Sequence, residues 1–198
     1  MKACALPKNR MGRIFEEAGM AIRALAAVPN EKALDPFALA RQFKIKVVKP
    51  SEIGALSKAI YLELTGRHAA SWSAVTLPLH DGWKLCILNP THNRVRTRAT
   101  LMEEIAHIAL GHTLCRISSN GNGMARRDYN PANEKTAYAV GAAALLPYAV
   151  LVSYLSQGIS AGWIARRYKV SVQLVEYRIK ITMLWAAYRG ALVRASYG

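Results

Sequence analysis

The chain has 198 residues, with 27 Lys and Arg against 12 Asp and Glu, a formal net charge of +15 and 52% hydrophobic residues. A chain this long and this apolar can bury a core, and it carries no long Gly/Ser/Pro or Gln/Asn tract, which excludes an intrinsically disordered or low-complexity segment. The basic excess points to a polyanionic partner or, as the plainer alternative, to a solvated basic surface.

Ile14 to Val28 has helical spacing of apolar residues and stops before Pro29-Asn30. Asp35 followed by Pro36 is an N-cap with proline at the first helical position, which predicts a second helix through PFALARQF. Lys44 to Val48 alternates with period two and is expected to be a strand. Ser71 to Leu88 gives two β-rich runs flanking Asp81-Gly82, a hairpin turn pair. Thr91 to Thr100 then reads as a polar connector carrying Arg94, Arg96 and Arg98, before a helix from about Arg98 through LMEEIAHIALGH. A loop is expected over Ser118 to Asn130, a long helix over Pro131 to Leu145, and shorter helices from Tyr148 onward.

The richest apolar stretch, Ala137 to Leu155, is broken by Gly141, Pro147 and Ser153, short of an uninterrupted membrane span. Glu16 and Glu17 stand where a signal peptide needs an apolar segment, so the expected location is the cytoplasm. Cys4, Cys86 and Cys115 have unrelated spacings and no C-x-x-C, which argues against a disulfide framework or a cysteine zinc knuckle and for buried or inert thiols.

The chemistry-bearing pattern is Glu103-Glu104-Ile105-Ala106-His107. Residues i and i+4 share a helix face, so Glu103 and His107 converge while Glu104 projects beside them. This is the geometry of H-E-x-x-H, in which two histidines hold zinc and the glutamate is the general base, with Glu in place of the first His. The plain alternative is a solvated acidic pair with a core-facing histidine. Five residues beyond His107, His112 extrapolates to about 140° off that face, so it is expected to serve as a C-terminal histidine favoured by the helix dipole rather than as a ligand.

The run from Arg98 to His112, RATLMEEIAHIALGH, resembles the active-site helix of the ImmA/IrrE family of zinc metallopeptidases, R-F-T-L-x-H-E-x-x-H-x-x-L-G-H. Glu134 to Pro147 is similar, without a gap, to the family's second signature, E-x-x-A-N-x-F-A-x-x-L-L-x-P. The likeness extends over about Pro36 to Leu184. It implies Glu103, His107 and Glu134 as metal ligands and Glu104 as catalytic base, with zinc, or another divalent ion such as manganese, as cofactor. Glu103, Tyr138 and Val140 depart from the family pattern, where His, Asn and Phe are usual, and the more anionic ligand set favours harder ions. The resemblance also implies a helix-turn-helix transcriptional repressor as substrate or partner. A catalytically impaired relative that binds a repressor or nucleic acid, and a toxin/antitoxin-type module, remain alternatives.

Ile159 to Ile181 reads as helix, tight turn and helix with Ser171 as the second N-cap, a helix-turn-helix-like pattern to which Arg166, Arg167, Lys169, Arg178 and Lys180 add charge. It suggests weak DNA binding or, alternatively, a structural pair closing the domain. Arg94, Arg96, Arg98 and Arg126-Arg127 are expected on solvated faces flanking a cleft formed where the Glu103–His107 helix and the Glu134 helix cross. The expected fold is α+β: a small antiparallel sheet on a mainly helical, zincin-like domain with helix-turn-helix-like C-terminal helices. The expected divisions are a helical extension (1–34), a metallopeptidase-like core (35–150) and the C-terminal helical segment (151–198).

Overall fold

The computed structural model describes residues 6–112, 117–119, 125–127 and 130–196, the segments 117–119, 125–127 and 191–196 as backbone. Cys4 and Cys115 lie outside the described residues, as do the side chains of Arg126 and Arg127. By its internal contacts the chain divides into two units: residues 35–137, and residues 1–34 with 138–198.

In the unit 35–137, Asp35 accepts the Phe37 amide at 3.2 Å and caps the short helix Pro36–Ala40. In chain order the unit comprises α2 (Pro36–Ala40), β1 (Ile45–Val48), α3 (Lys58–Thr65), β2 (Ala74–Pro78), β3 (Lys84–Leu88), α4 (Arg94–Ala109), β4 (Ile117–Ser119), β5 (Ala125–Arg127) and the first turns of α5 (Pro131–Leu145); α1 (Arg10–Leu25) belongs to the other unit. The β2–β3 hairpin is antiparallel, and its turn places Asp81 and Gly82 at φ 59° and 75°, the positive values an Asp-Gly pair tolerates. β1 joins β3 in parallel, so the sheet, in the order β1-β3-β2, is mixed rather than purely antiparallel. The long connection from β1 to the hairpin, which includes α3, leaves enough chain for a parallel pairing.

α4 packs against β2 and β3, and α2 packs against α4 and β1. Leu101, Met102, Ile105 and Ala106 of α4 are buried, as are Cys86 and Leu88 of β3. The helix starts at Arg94, inside the segment expected to be a connector, because Asn93 caps it by accepting the Arg96 amide at 2.9 Å. Arg94 and Arg96 are exposed as expected, whereas Arg98 is buried and its Nη1 lies 3.3 Å from Asp35 Oδ1. Part of the expected Ser118–Asn130 loop is instead the β4–β5 antiparallel pair. The intervening sequence contains Asn-Gly pairs, a hairpin signal.

The second unit is helical: α1, the remainder of α5, α6 (Tyr148–Ser156), α7 (Ala161–Tyr168), α8 (Val172–Ile181) and α9 (Trp185–Ser196). α5 is rich in buried alanine, and a Cβ on Gly19 of α1 would lie 2.7 Å from the Ala143 Cβ and 2.8 Å from the Val140 carbonyl oxygen, so the two helices meet at a distance that only glycine permits. The Arg23 guanidinium is buried and donates to the carbonyls of Ala144, Pro29 and Lys32. α7 and α8 are joined by a tight turn with Lys169 at φ 55°, and the Ser171 hydroxyl accepts the Leu174 amide at 3.1 Å. Arg166, Arg167, Lys169 and Lys180 are exposed. Arg178 is not part of that basic face: it is fully buried and paired with Glu16. Among the described residues no single helix is long and apolar enough to cross a membrane. The α+β class is as expected from the sequence.

Candidate metal centre

The site is built from two helices of the 35–137 unit. α4 carries Glu103 and His107 one turn apart, and residue 134 stands in the first turn of α5. Asn130 opens α5 by accepting the amides of Ala132 at 3.0 Å and Asn133 at 3.3 Å, which fixes where that first turn begins. One ligand atom from each of Glu103, His107 and Glu134 lies within 4.8 Å of the other two. His107 Nε2 lies 3.7 Å from Glu134 Oε2. His107 is buried, and both carboxylates are half-buried.

These spacings suit a shared ion. Donor atoms each about 2.0–2.2 Å from one tetrahedral cation stand roughly 3.3–3.6 Å apart, so atoms separated by up to 4.8 Å need to close by at most about 1.5 Å, within reach of side-chain rotation. The donor set also fits: two carboxylates supply charge and hard oxygen ligands, and the imidazole supplies a nitrogen common to zinc and manganese sites. Taken together the three are less selective for zinc than two imidazoles and a carboxylate.

Glu104, next to Glu103 on α4, is half-buried. Its charge is felt at Cys86 of β3, a thiol without solvent exposure that is pushed up to about 12, chiefly by burial, with Glu104 adding to the rise and the Thr76 hydroxyl opposing it. Tyr138, at the position where the resemblance has Asn, makes an edge-to-face contact with Tyr177, with ring centroids 4.8 Å apart. Val140 is buried.

The placement of His112 differs from extrapolation of the helix. α4 ends at Ala109, and Gly111 takes φ 68°. The Gly111 amide donates to Ile108 at 3.1 Å and the His112 amide to His107 at 2.9 Å, the two bonds of a Schellman cap. The chain therefore turns back, and His112 Nδ1 comes to 3.1 Å from His107 Nδ1, with the rings edge-on at a centroid distance of 5.0 Å. The Leu-Gly-His ending carries this signal, since glycine after a helix marks the cap, whereas helix periodicity alone does not register it.

A model of the IrrE N-terminal-like domain matches residues 69–180, more than half of the chain and the stretch containing Glu103, Glu104, His107 and Glu134. Among solved structures, a Mycobacterium tuberculosis transcriptional regulator is similar over 82% of this chain and 46% of its own, at 16% identity and a TM-score of 0.47. The present chain thus spans under half of that protein's length. No curated protein matches the chain.

Proposed function

The chain belongs to the IrrE N-terminal-like domain family, and from that premise we propose that it is a metal-dependent, endopeptidase-like protein acting in the cytoplasm on a helix-turn-helix transcriptional repressor. The observation that carries the reading is the convergence of Glu103, His107 and Glu134, from two helices, on one ion-sized space. These three side chains would hold the ion, with zinc or manganese as cofactor. When bound there, a divalent ion would supply Lewis-acid polarisation of the scissile carbonyl and would make the attacking water more acidic. Glu104 accepts that water's proton and delivers it to the leaving amine. The burial of His107 fixes its ring, and the half-buried carboxylates keep the site reachable from solvent.

The test is metal content after mild purification, together with co-expression beside a neighbouring repressor. Bound zinc or manganese and a shortened repressor support the reading; a metal-free protein with an intact repressor overturns it.

Glu103 favours a second reading, a non-catalytic relative that binds the repressor or nucleic acid, because a second carboxylate makes a bound ion less electrophilic than imidazole does. For nucleic acid the candidate surface is the exposed Arg166, Arg167, Lys169 and Lys180. Its signature is duplex DNA binding that falls steeply with salt, and no binding at low ionic strength removes that surface from consideration.

A further inference from the structure

The His107–His112 pair has a consequence for which proton sits where. An imidazole that binds an ion through one nitrogen presents a lone pair there and carries its proton on the other, and that second N–H usually has a hydrogen-bond acceptor. His107 Nε2 is the atom on the carboxylate side, 3.7 Å from Glu134 Oε2, while Nδ1 is the atom against His112, at 3.1 Å. With both nitrogens of the contact being Nδ1, one must donate and the other accept.

Two arrangements satisfy the contact. If His112 Nδ1–H donates, the neutral His107 keeps its proton on Nε2, aimed at the carboxylates and incompatible with an ion. If His107 Nδ1–H donates, the Nε2 lone pair faces Glu103 and Glu134, and His112 holds its own proton on Nε2. Only the second arrangement is competent to bind metal.

We propose that His112 is a positioning residue that, through its Nδ1 lone pair, holds His107 in the Nδ1–H tautomer and orients the Nε2 lone pair toward Glu103 and Glu134. The inference rests on the metal-site reading above. The Schellman cap is what makes it possible: the backbone bond from the His112 amide to the His107 carbonyl, 2.9 Å, and Gly111 at φ 68° tie the two residues together independently of their side chains. His112 is half-buried and His107 buried, so the contact is partly shielded from competing water.

The experiment compares the full chain with His112→Leu, His112→Asn and Glu134→Ala. Asn and Leu have similar shapes, but only Asn places an acceptor oxygen near the position of His Nδ1. Zinc affinity is measured by competition with a chelator, and the tautomer of His107 by nitrogen NMR of the zinc-loaded protein. His112→Leu is expected to weaken zinc binding roughly 10- to 100-fold, as loss of a hydrogen-bond partner to a ligating histidine does. His112→Asn should recover most of it, with an unchanged thermal midpoint for the metal-free proteins, and the wild-type spectrum should show a protonated Nδ1 on His107. Zinc affinity that falls in Glu134→Ala yet is equal in wild type and His112→Leu, or an Asn variant no better than Leu, overturns the role of His112 alone. Wild-type binding no tighter than that of Glu134→Ala overturns the metal-site reading and this inference with it.

Discussion

The guanidinium of Arg178 on α8 is held against the carboxylate of Glu16 on α1, both buried, across 162 positions of sequence. The other oxygen of Glu16 accepts the Tyr148 amide at 2.7 Å, at the start of α6. One carboxylate thus satisfies an orphan helix amide and a buried cation. Burial pushes the Arg178 guanidinium down from its usual range, and Glu16 opposes that shift. Removing the carboxylate leaves an uncompensated buried charge, so Glu16→Ala is expected to destabilise the protein by about 3–5 kcal/mol. The double variant Glu16→Leu with Arg178→Met should lose less than the sum of the two singles, measured by chemical denaturation.

Gly111 has φ 68°, with nothing within 4 Å of a Cβ built on it. Space is therefore not the constraint, and backbone conformation is. Gly111→Ala should cost about 1–2 kcal/mol, the penalty of a left-handed residue with a Cβ. Gly111→Asn should cost less, because asparagine tolerates this region. Thermal denaturation of the two variants side by side decides the matter, and equal costs would count against the cap as their source.

Which parts of this were readable in the sequence follows from how local their causes are. α5 and α8 occupy the spans expected for them, 131–145 and 172–181, because caps and breakers lie in the adjacent residues. Arg98 and Arg178 look in sequence like any exposed arginine, since their partners Asp35 and Glu16 stand 63 and 162 positions away. The parallel pairing of β1 was hidden for the same reason: a strand's own alternation does not name its neighbour. At the site, the i, i+4 spacing of Glu103 and His107 was legible, whereas the approach of Glu134 was expected only from family resemblance. His112 departs from its periodic position because the helix ends at Ala109 and Gly111 turns the chain back.

Cys86 is fully buried, and its thiol is pushed up to about 12 from 9.0, chiefly by burial. In the native protein at pH 8 it should resist alkylation, and in denaturant it should react; peptide mapping distinguishes it from Cys4 and Cys115. The pH dependence has a definite sign. The folded state holds the proton to higher pH than the unfolded chain, so this group's contribution to stability is full below about 9 and is lost as pH rises toward about 12. A native-state thiol that reacts as fast as a denatured one would rule out this burial.

Glu104→Gln keeps the side chain's shape and removes the proton acceptor. Cleavage of the cognate repressor should fall by about 10²–10⁴, with metal content and thermal midpoint unchanged. Undiminished cleavage by this variant would exclude Glu104 as the base.

Glu103 decides between a working enzyme and a binding relative, and replacing it tests the ligand set directly. Its carboxylate shares a helix face with His107 and lies with His107 and Glu134 in the 4.8 Å cluster, so a histidine there needs no change of backbone. Imidazole is the better zinc ligand and carries no charge. Glu103→His should therefore raise zinc affinity and shift preference away from manganese and magnesium. One fewer anionic ligand also leaves the ion more electrophilic, so peptidase activity should appear or increase. Glu103→Ala removes a ligand and should lose metal, because His107 and Glu134 alone are too few for tight binding. Metal content and zinc titration of wild type, Glu103→His and Glu103→Ala distinguish these outcomes. Equal and negligible metal in all three would mean that the cluster does not hold an ion, and would favour the repressor-binding reading.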